Sequence, residues 1–263
     1  MSERHPEGQI TTEKRGHLYL VGIDRKEKYN GLTPKMFEEL LEAYTTIEND
    51  DDIRVGILFA HGDHFTTGLD LPKFAESMRK GGRFREPGAV DVYGLERGVS
   101  KAMVCAIQGY TYTAGIEMML ACDIVIAASD CKFSQLEPKR GIMAAGGATI
   151  RFVQRGGWGN AMLHLLTCDV FDAQEAQRIG LVQEIVEPGR QLDRAIEIAE
   201  LIAQQAPLAI KATKANALQA VLEGQKAAIA SFAEIQLGLA NSEDAAEGVA
   251  SFVERRDPVF KGC

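Results

Sequence analysis

Apolar positions along the chain switch between two periods. Residues 17–23 (HLYLVGI) form a short strand-like run, and residues 53–60 are nearly continuously apolar, as expected for a strand covered on both faces. Between them, Thr33 followed by Pro34 marks a helix start, and Met36, Phe37, Leu40, Leu41, Tyr44 and Ile47 recur at helical spacing. The opening is therefore a strand–helix–strand unit. A polar loop over 61–74 leads into a helix around Pro72, and the basic, glycine-broken stretch 78–91 is expected to be a mobile loop. Downstream the pattern predicts a helix over 92–101, a strand over 103–107, a short helix over 115–121 and a strand over 124–127. Helical character follows over 146–155, 158–166 and 173–179, and a last strand over 181–187 comes after Gly180 as a helix stop. From Arg190 onward the chain reads as helix almost to its end, broken at Pro207 and restarted at Ser242.

Strands thus occupy the first two-thirds and helices crowd the last third, an α/β organisation. We divide the chain into a core over 1–200 and a helical C-terminal region over 201–263. The apolar faces of that last region fit core packing and contact with another subunit equally well.

Composition narrows the function classes. With 29 basic and 37 acidic residues in a chain of 263, the net charge of −8 argues against a general polyanion-binding surface, so nucleic acid is not an expected partner. The five cysteines include no C-x-x-C pair. No window approaches the apolar length of a membrane span, and the first residues lack the apolar core of a signal peptide. A cytoplasmic protein without a membrane partner is the expectation. His61 and His64 have metal-like spacing but no third ligand in register, so they are read as loop histidines and no metal is expected.

Candidate chemistry concentrates between Cys105 and Thr149. Glu117 sits at the start of a strongly apolar segment, and Glu137 lies in a polar loop just before Pro138. A glycine- and alanine-rich stretch, 141–147, opens the next helical pattern. Taken singly, Glu117 also fits an ordinary third-position helix acid behind Ala114 as the cap, and Glu137 a surface loop acid.

Six stretches in order, FTTGLDL (65–71), AIQGYTYTAGIEMMLACDIVIA (106–127), FSQLEPKRGIMAAGGAT (133–149), DAQEAQRIGLVQEIV (172–186), APLAIKATK (206–214) and the terminal EGVASFVERRDPVFKG, resemble the enoyl-CoA hydratase/isomerase (crotonase) superfamily over nearly the whole chain. The resemblance implies a spiral of ββα units with a helical C-terminal trimerisation region, forming homotrimers or hexamers, and an acyl-CoA thioester as ligand. It implies no cofactor beyond the coenzyme A carried by the substrate. By position it assigns the two backbone N–H groups of an oxyanion hole to Leu69 and Ala114, where alanine and glycine are more usual. Two amides aimed at the thioester oxygen stabilise charge where it develops, whatever their side chains.

The same resemblance puts Glu117 and Glu137 at the positions with which hydratases grip one water. The implied activity is reversible syn hydration of a 2-enoyl-CoA to a 3-hydroxyacyl-CoA. An enoyl-CoA isomerase and a non-catalytic acyl-CoA-binding member of the same fold are the alternatives. Coenzyme A contacts are implied at Lys26, Lys28, Tyr29, Thr66, Thr67, Gly68, Leu69 and Asp70, with Arg255 joining from a neighbouring subunit. Pro138, Lys139 and Arg140 depart from the apolar residues common after the glutamate, and the charged pair is expected to face solvent, a neighbouring subunit or a changed substrate.

Overall fold

The structure, a computed structural model, describes residues 6–81 and 90–263. Among these, nine strands form two sheets. The larger has the order β1 (Gln9–Arg15), β2 (Leu18–Asp24), β3 (Val55–Ala60), β4 (Ala102–Ile107), β6 (Ile124–Ala128) and β9 (Glu184–Val186). Only β1 runs antiparallel, as the hairpin partner of β2 with Gln9 opposite Asp24; every other neighbouring pair is parallel. The smaller sheet joins β5 (Tyr110–Tyr112), β7 (Lys132–Ser134) and β8 (Phe171–Asp172).

Side chains alternate across the large sheet, as the two-residue period of a strand requires. Val21, Ile23, Leu58, Cys105 and Ile107 point into one buried cluster with Met36, Phe37 and Leu40 of α1 (Pro34–Asn49). Leu18, Leu20, Val55, Ile57, Val104 and Ala106 point into a second, under Ala195, Ala199 and Ala203 of α6 (Gln191–Ala203). Small residues at every fourth position let that helix lie close to the sheet. The near-continuous apolar strands of the sequence are explained by this two-sided cover.

The chain advances by a repeated step. β4 in the large sheet, β5 in the small one and helix α3 (Ala114–Ala121) make one ββα turn; β6, β7 and α4 (Ala148–Thr167) make the next. Two earlier turns keep the same order with the second strand reduced to a single bridge. After β3, Thr66 pairs with Thr111 before α2 (Leu71–Arg79), and after β2, Leu32 pairs with Leu69 before α1. The expected spiral of ββα units is the observed architecture. The remaining helices are α5 (Ala173–Arg178), α7 (Pro207–Glu223), α8 (Gln225–Ala230), α9 (Phe232–Ala240) and α10 (Glu243–Glu254).

Thr33 caps α1 by accepting from the Met36 N–H at 3.3 Å, and Ser242 caps α10 through the Ala245 N–H at 3.0 Å, both at the predicted starts. Pro207 opens α7 at its first turn, where the missing N–H costs nothing. The helical segments expected over 146–155 and 158–166 are the two halves of α4, which meet at Gly157, whose backbone (φ 74, ψ 163) is not helical.

The helix expected over 92–101 is absent. Gly94 has φ +56, and the Asp91 carboxylate accepts from the N–H groups of Tyr93 and Leu95, each at 2.9 Å. That side chain offers the backbone a local turn in place of a helical ladder, so the apolar Val92 and Val99 reach the core from a loop while Leu95 stays exposed. Of the loop expected over 78–91, residues 82–89 lie outside the described residues, and 78–79 close α2. Strands β1, β5, β7 and β8 had no counterpart in the sequence reading. Among the described residues no helix is long and apolar enough to cross a membrane.

Candidate active site

The connection after β3 is built to present backbone. Thr66 is fully buried; its hydroxyl donates to the Asn30 carbonyl at 2.7 Å and accepts from the Gly68 N–H at 3.0 Å. The Leu32 N–H donates to the Gly68 carbonyl and the Asp70 N–H to the Leu32 carbonyl, each at 2.8 Å. Leu69 lies between these anchors, and among the described residues its own N–H meets no acceptor.

The second arm is the start of α3. Thr113, just before it, holds a strained left-handed backbone (φ 51, ψ −117) that few side chains tolerate. Its N–H donates to the Ser134 carbonyl at 3.0 Å, and its hydroxyl to the Thr67 carbonyl at 3.4 Å. Thr113 thereby ties the second arm to the small sheet and to the first arm. Ala114 follows as the first helical residue, and its N–H is likewise without an acceptor among the described residues. Leu69 and Ala114 line one cavity of about 840 Å³.

Glu117 and Glu137 line the same cavity and are both buried. Glu117 is not the third-position acid behind an Ala114 cap. Thr113 occupies the cap position, and the carboxylate turns away from its own helix start to the start of α4. Its Oε1 accepts from the Gly146 N–H at 2.7 Å and from the Ala148 N–H at 3.2 Å. One oxygen is thus tethered. The other, Oε2, abuts Gly146: a Cβ built there would lie 2.5 Å from it.

Burial pushes the Glu117 carboxyl up to about 7, the charge of Glu137 adds to the rise, and the two amides and Arg151 oppose it. Glu137 opens a short 3-10 helix, Glu137–Arg140, and its carboxyl is also raised by burial. Its Oε2 is buried with no partner among the described residues, an arrangement that costs on the order of 1–3 kcal/mol unless the group is protonated or a ligand reaches it. Two carboxyl groups with raised proton affinity, Glu117 at about 7, stand beside two amides that meet no acceptor among the described residues, an arrangement that can exchange protons with a bound molecule.

The residues implied for coenzyme A separate into two sets. Lys28, Thr67, Leu69 and Asp70 line the cavity. Asp70 is already paired with the buried Arg25 at 2.9 Å, which makes it a structural acid. Thr66 and Gly68 serve inside the loop, as above. Lys26 packs over Gly62, and the exposed Tyr29 lies against His64, so both sit outside the cavity. Arg255 closes α10 in a left-handed conformation, exposed and away from the cavity of its own chain.

His61 lies 2.8 Å from the Thr11 hydroxyl, while His64 stacks on Tyr110. The charged pair after Glu137 divides: Lys139 donates to the Cys168 carbonyl at 2.9 Å, and Arg140 lines the cavity. Sequence reasoning missed the Gly146 and Ala148 amides, although the glycine-rich opening of α4 was the visible signal. It also missed Tyr93, which lines the cavity from the loop read as a helix.

The enoyl-CoA hydratase/isomerase family model matches residues 13–263. A probable enoyl-CoA hydratase/isomerase from Mycobacterium abscessus is 43% identical, with a TM-score of 0.93 over 97% of this chain and 98% of its own. The (E)-benzylidenesuccinyl-CoA hydratase of Thauera aromatica is 33% identical over 97% of this chain and 99% of its own length. The short-chain-enoyl-CoA hydratase of Clostridium acetobutylicum is 32% identical over 94% and 95%.

Proposed function

The chain belongs to the enoyl-CoA hydratase/isomerase family, and from that premise we propose that it is an enoyl-CoA hydratase, adding water reversibly to a 2-enoyl-CoA to form a 3-hydroxyacyl-CoA. The single observation that carries the reading is the joint presence of Glu117 and Glu137, both with raised proton affinity, in the cavity that also holds the free Leu69 and Ala114 amides.

The thioester oxygen accepts from the two amides, which draws electrons from the double bond and leaves the β-carbon open to attack. A water held between the acids donates toward them. As its oxygen bonds to the β-carbon, one carboxylate takes a water proton, and a carboxyl group delivers a proton to the α-carbon of the enolate. The atoms of one water are thereby added, and the pair of acids ends with its starting number of protons. Because one face of the substrate meets both acids, the addition is syn. Lys28 and Thr67 at the cavity rim receive the coenzyme, Lys26 and Tyr29 meet its outer part, and no cofactor beyond that coenzyme enters the reaction. Exposed apolar residues of the C-terminal helices, among them Leu222, Leu237, Phe252 and Val253, support a homotrimer or a pair of trimers in which Arg255 reaches a neighbour's coenzyme.

The test is turnover across a panel of enoyl-CoA chain lengths, followed as loss of the conjugated thioester absorbance in heavy-oxygen water. Solvent oxygen in the product, lost in Glu117→Gln and Glu137→Gln, supports the reading. A product that shifts its double bond without taking up solvent oxygen identifies an isomerase, and tight binding without turnover a non-catalytic member.

A further inference from the structure

Tyr93 stands on a loop that the structure fixes at both ends of the turn. Asp91 holds the N–H groups of Tyr93 and Leu95, the Gly94 N–H donates to the Asp91 carbonyl at 2.8 Å, and Arg151 donates to the Gly94 carbonyl at 2.9 Å. The ring rests on Phe37, with centroids 5.7 Å apart. Its edge reaches the spot where Glu117 ends: a Cβ built on Gly146 would lie 2.8 Å from Tyr93 Cε1 and 2.5 Å from Glu117 Oε2. Cε1 is the carbon beside the one that bears the hydroxyl. The phenol therefore borders the Glu117 oxygen that the α4 amides leave free, in the cavity that Glu137 also lines.

The Tyr93 hydroxyl meets no acceptor among the described residues and is not sealed away from solvent, so it is open to a ligand in the cavity that the ring lines. Burial, with the charges of Glu117, Asp91 and Glu137, keeps its proton on, so it is a donor throughout the working range. A water held between a carboxylate and a carboxyl group gives one hydrogen to an oxygen of each and one lone pair to the β-carbon. One lone pair remains, and a donor to it fixes how the water is turned.

We propose that the Tyr93 hydroxyl supplies that donor, holding the water before addition and the 3-hydroxyl group after it. Tyr93 is then a third contact to the reacting oxygen, and it orients the lone pair that attacks without itself gaining or losing a proton. The inference rests on the hydratase reading above.

The experiment compares Tyr93→Phe with the parent enzyme on a short enoyl-CoA that the parent hydrates. Phe keeps the ring against Phe37 and removes only the hydroxyl. The expected result is a kcat lower by about tenfold or more, a raised KM for the 3-hydroxyacyl-CoA in the reverse direction, and an unchanged inhibition constant for the saturated acyl-CoA, which lacks the β-oxygen. A kcat within twofold of the parent overturns the proposal. So does equal weakening of both ligands, or a Phe variant that fails to fold, since each assigns the hydroxyl to packing. A parent that hydrates no enoyl-CoA defeats the hydratase reading itself, a result seen before any variant is made.

Discussion

Gly68 lies so close to Thr113 that a Cβ at position 68 would overlap the threonine hydroxyl. The two amide-bearing arms of the cleft therefore touch through a glycine, and Gly68 has φ +95, which no other residue adopts cheaply. Gly68→Ala is expected to cost about 3 kcal/mol or more, from backbone strain and the forced separation of the arms. Turnover should fall by about a hundredfold, because an oxyanion amide displaced by even part of an ångström loses its aim. Denaturant melts and steady-state kinetics on one preparation check both numbers.

Proton affinity at Glu117 makes stability depend on pH with a definite sign. A carboxyl group raised from 4.5 to about 7 binds its proton more tightly in the folded state than in the unfolded one. The folded state is thus favoured at low pH, and stability falls as pH rises from about 4.5 through about 7, by roughly 3 kcal/mol in all. Glu117→Gln keeps an oxygen for the Gly146 and Ala148 amides and removes the charge. It should match the parent near pH 4.5 and exceed its melting temperature above pH 7. Thermal melts over that range test this, and an equal pH slope in the two proteins contradicts it.

Because the Glu137 charge helps to raise Glu117, the two titrations are linked. In Glu137→Gln the Glu117 carboxyl should titrate at lower pH than in the parent. Carbon-13 NMR of labelled glutamate side chains, assigned through the Glu117→Gln spectrum, reads the shift directly.

Gly146→Ala separates site from scaffold. Gly146 does not need a left-handed backbone, so an alanine fits the chain locally, but its Cβ meets Glu117 Oε2 and Tyr93 Cε1. A fold cost of about 1–3 kcal/mol is expected from the extra methyl. Activity should drop well beyond what that loss explains, with acyl-CoA affinity reduced little. Kinetics and calorimetric titration of a saturated acyl-CoA make the comparison.

Phe252 and Val253 end α10 with 85% and 74% of their surface exposed. Charging both, as Phe252→Glu with Val253→Glu, should lower the mass measured by sedimentation equilibrium from the trimer or hexamer toward a single chain. It should also weaken coenzyme A binding if Arg255 acts on a neighbour. A parent that sediments as a monomer removes this part of the proposal.

The parallel strands were legible because burial on both faces writes itself as an unbroken apolar run, as in 53–60. Helix starts at Thr33 and Ser242 were legible through their caps. The small sheet was not, since β5, β7 and β8 have two or three residues each and carry polar side chains. The stretch 92–101 misled because its apolar spacing is helical while Asp91 and Gly94 build a turn. Both acids stood out in the sequence itself, and the family pattern supplied the roles expected of them, but the partner of Glu117 was not legible, because backbone amides leave no letter in the sequence. Tyr93 escaped for the opposite reason: its letter was visible and its backbone was misread.

The kink at Gly157 has a mechanical meaning for the acid. Ahead of it, α4 begins with the Ala148 amide that tethers Glu117; behind it lie the exposed Trp158, Leu163 and Leu166 and the buried His164 against Asp169. A continuous helix would act as one stiff rod, carrying any push on its outer half straight to the carboxylate. Two short rods meeting at a non-helical glycine bend at the joint instead. Contacts made on the outer half can therefore change without altering the proton affinity of Glu117.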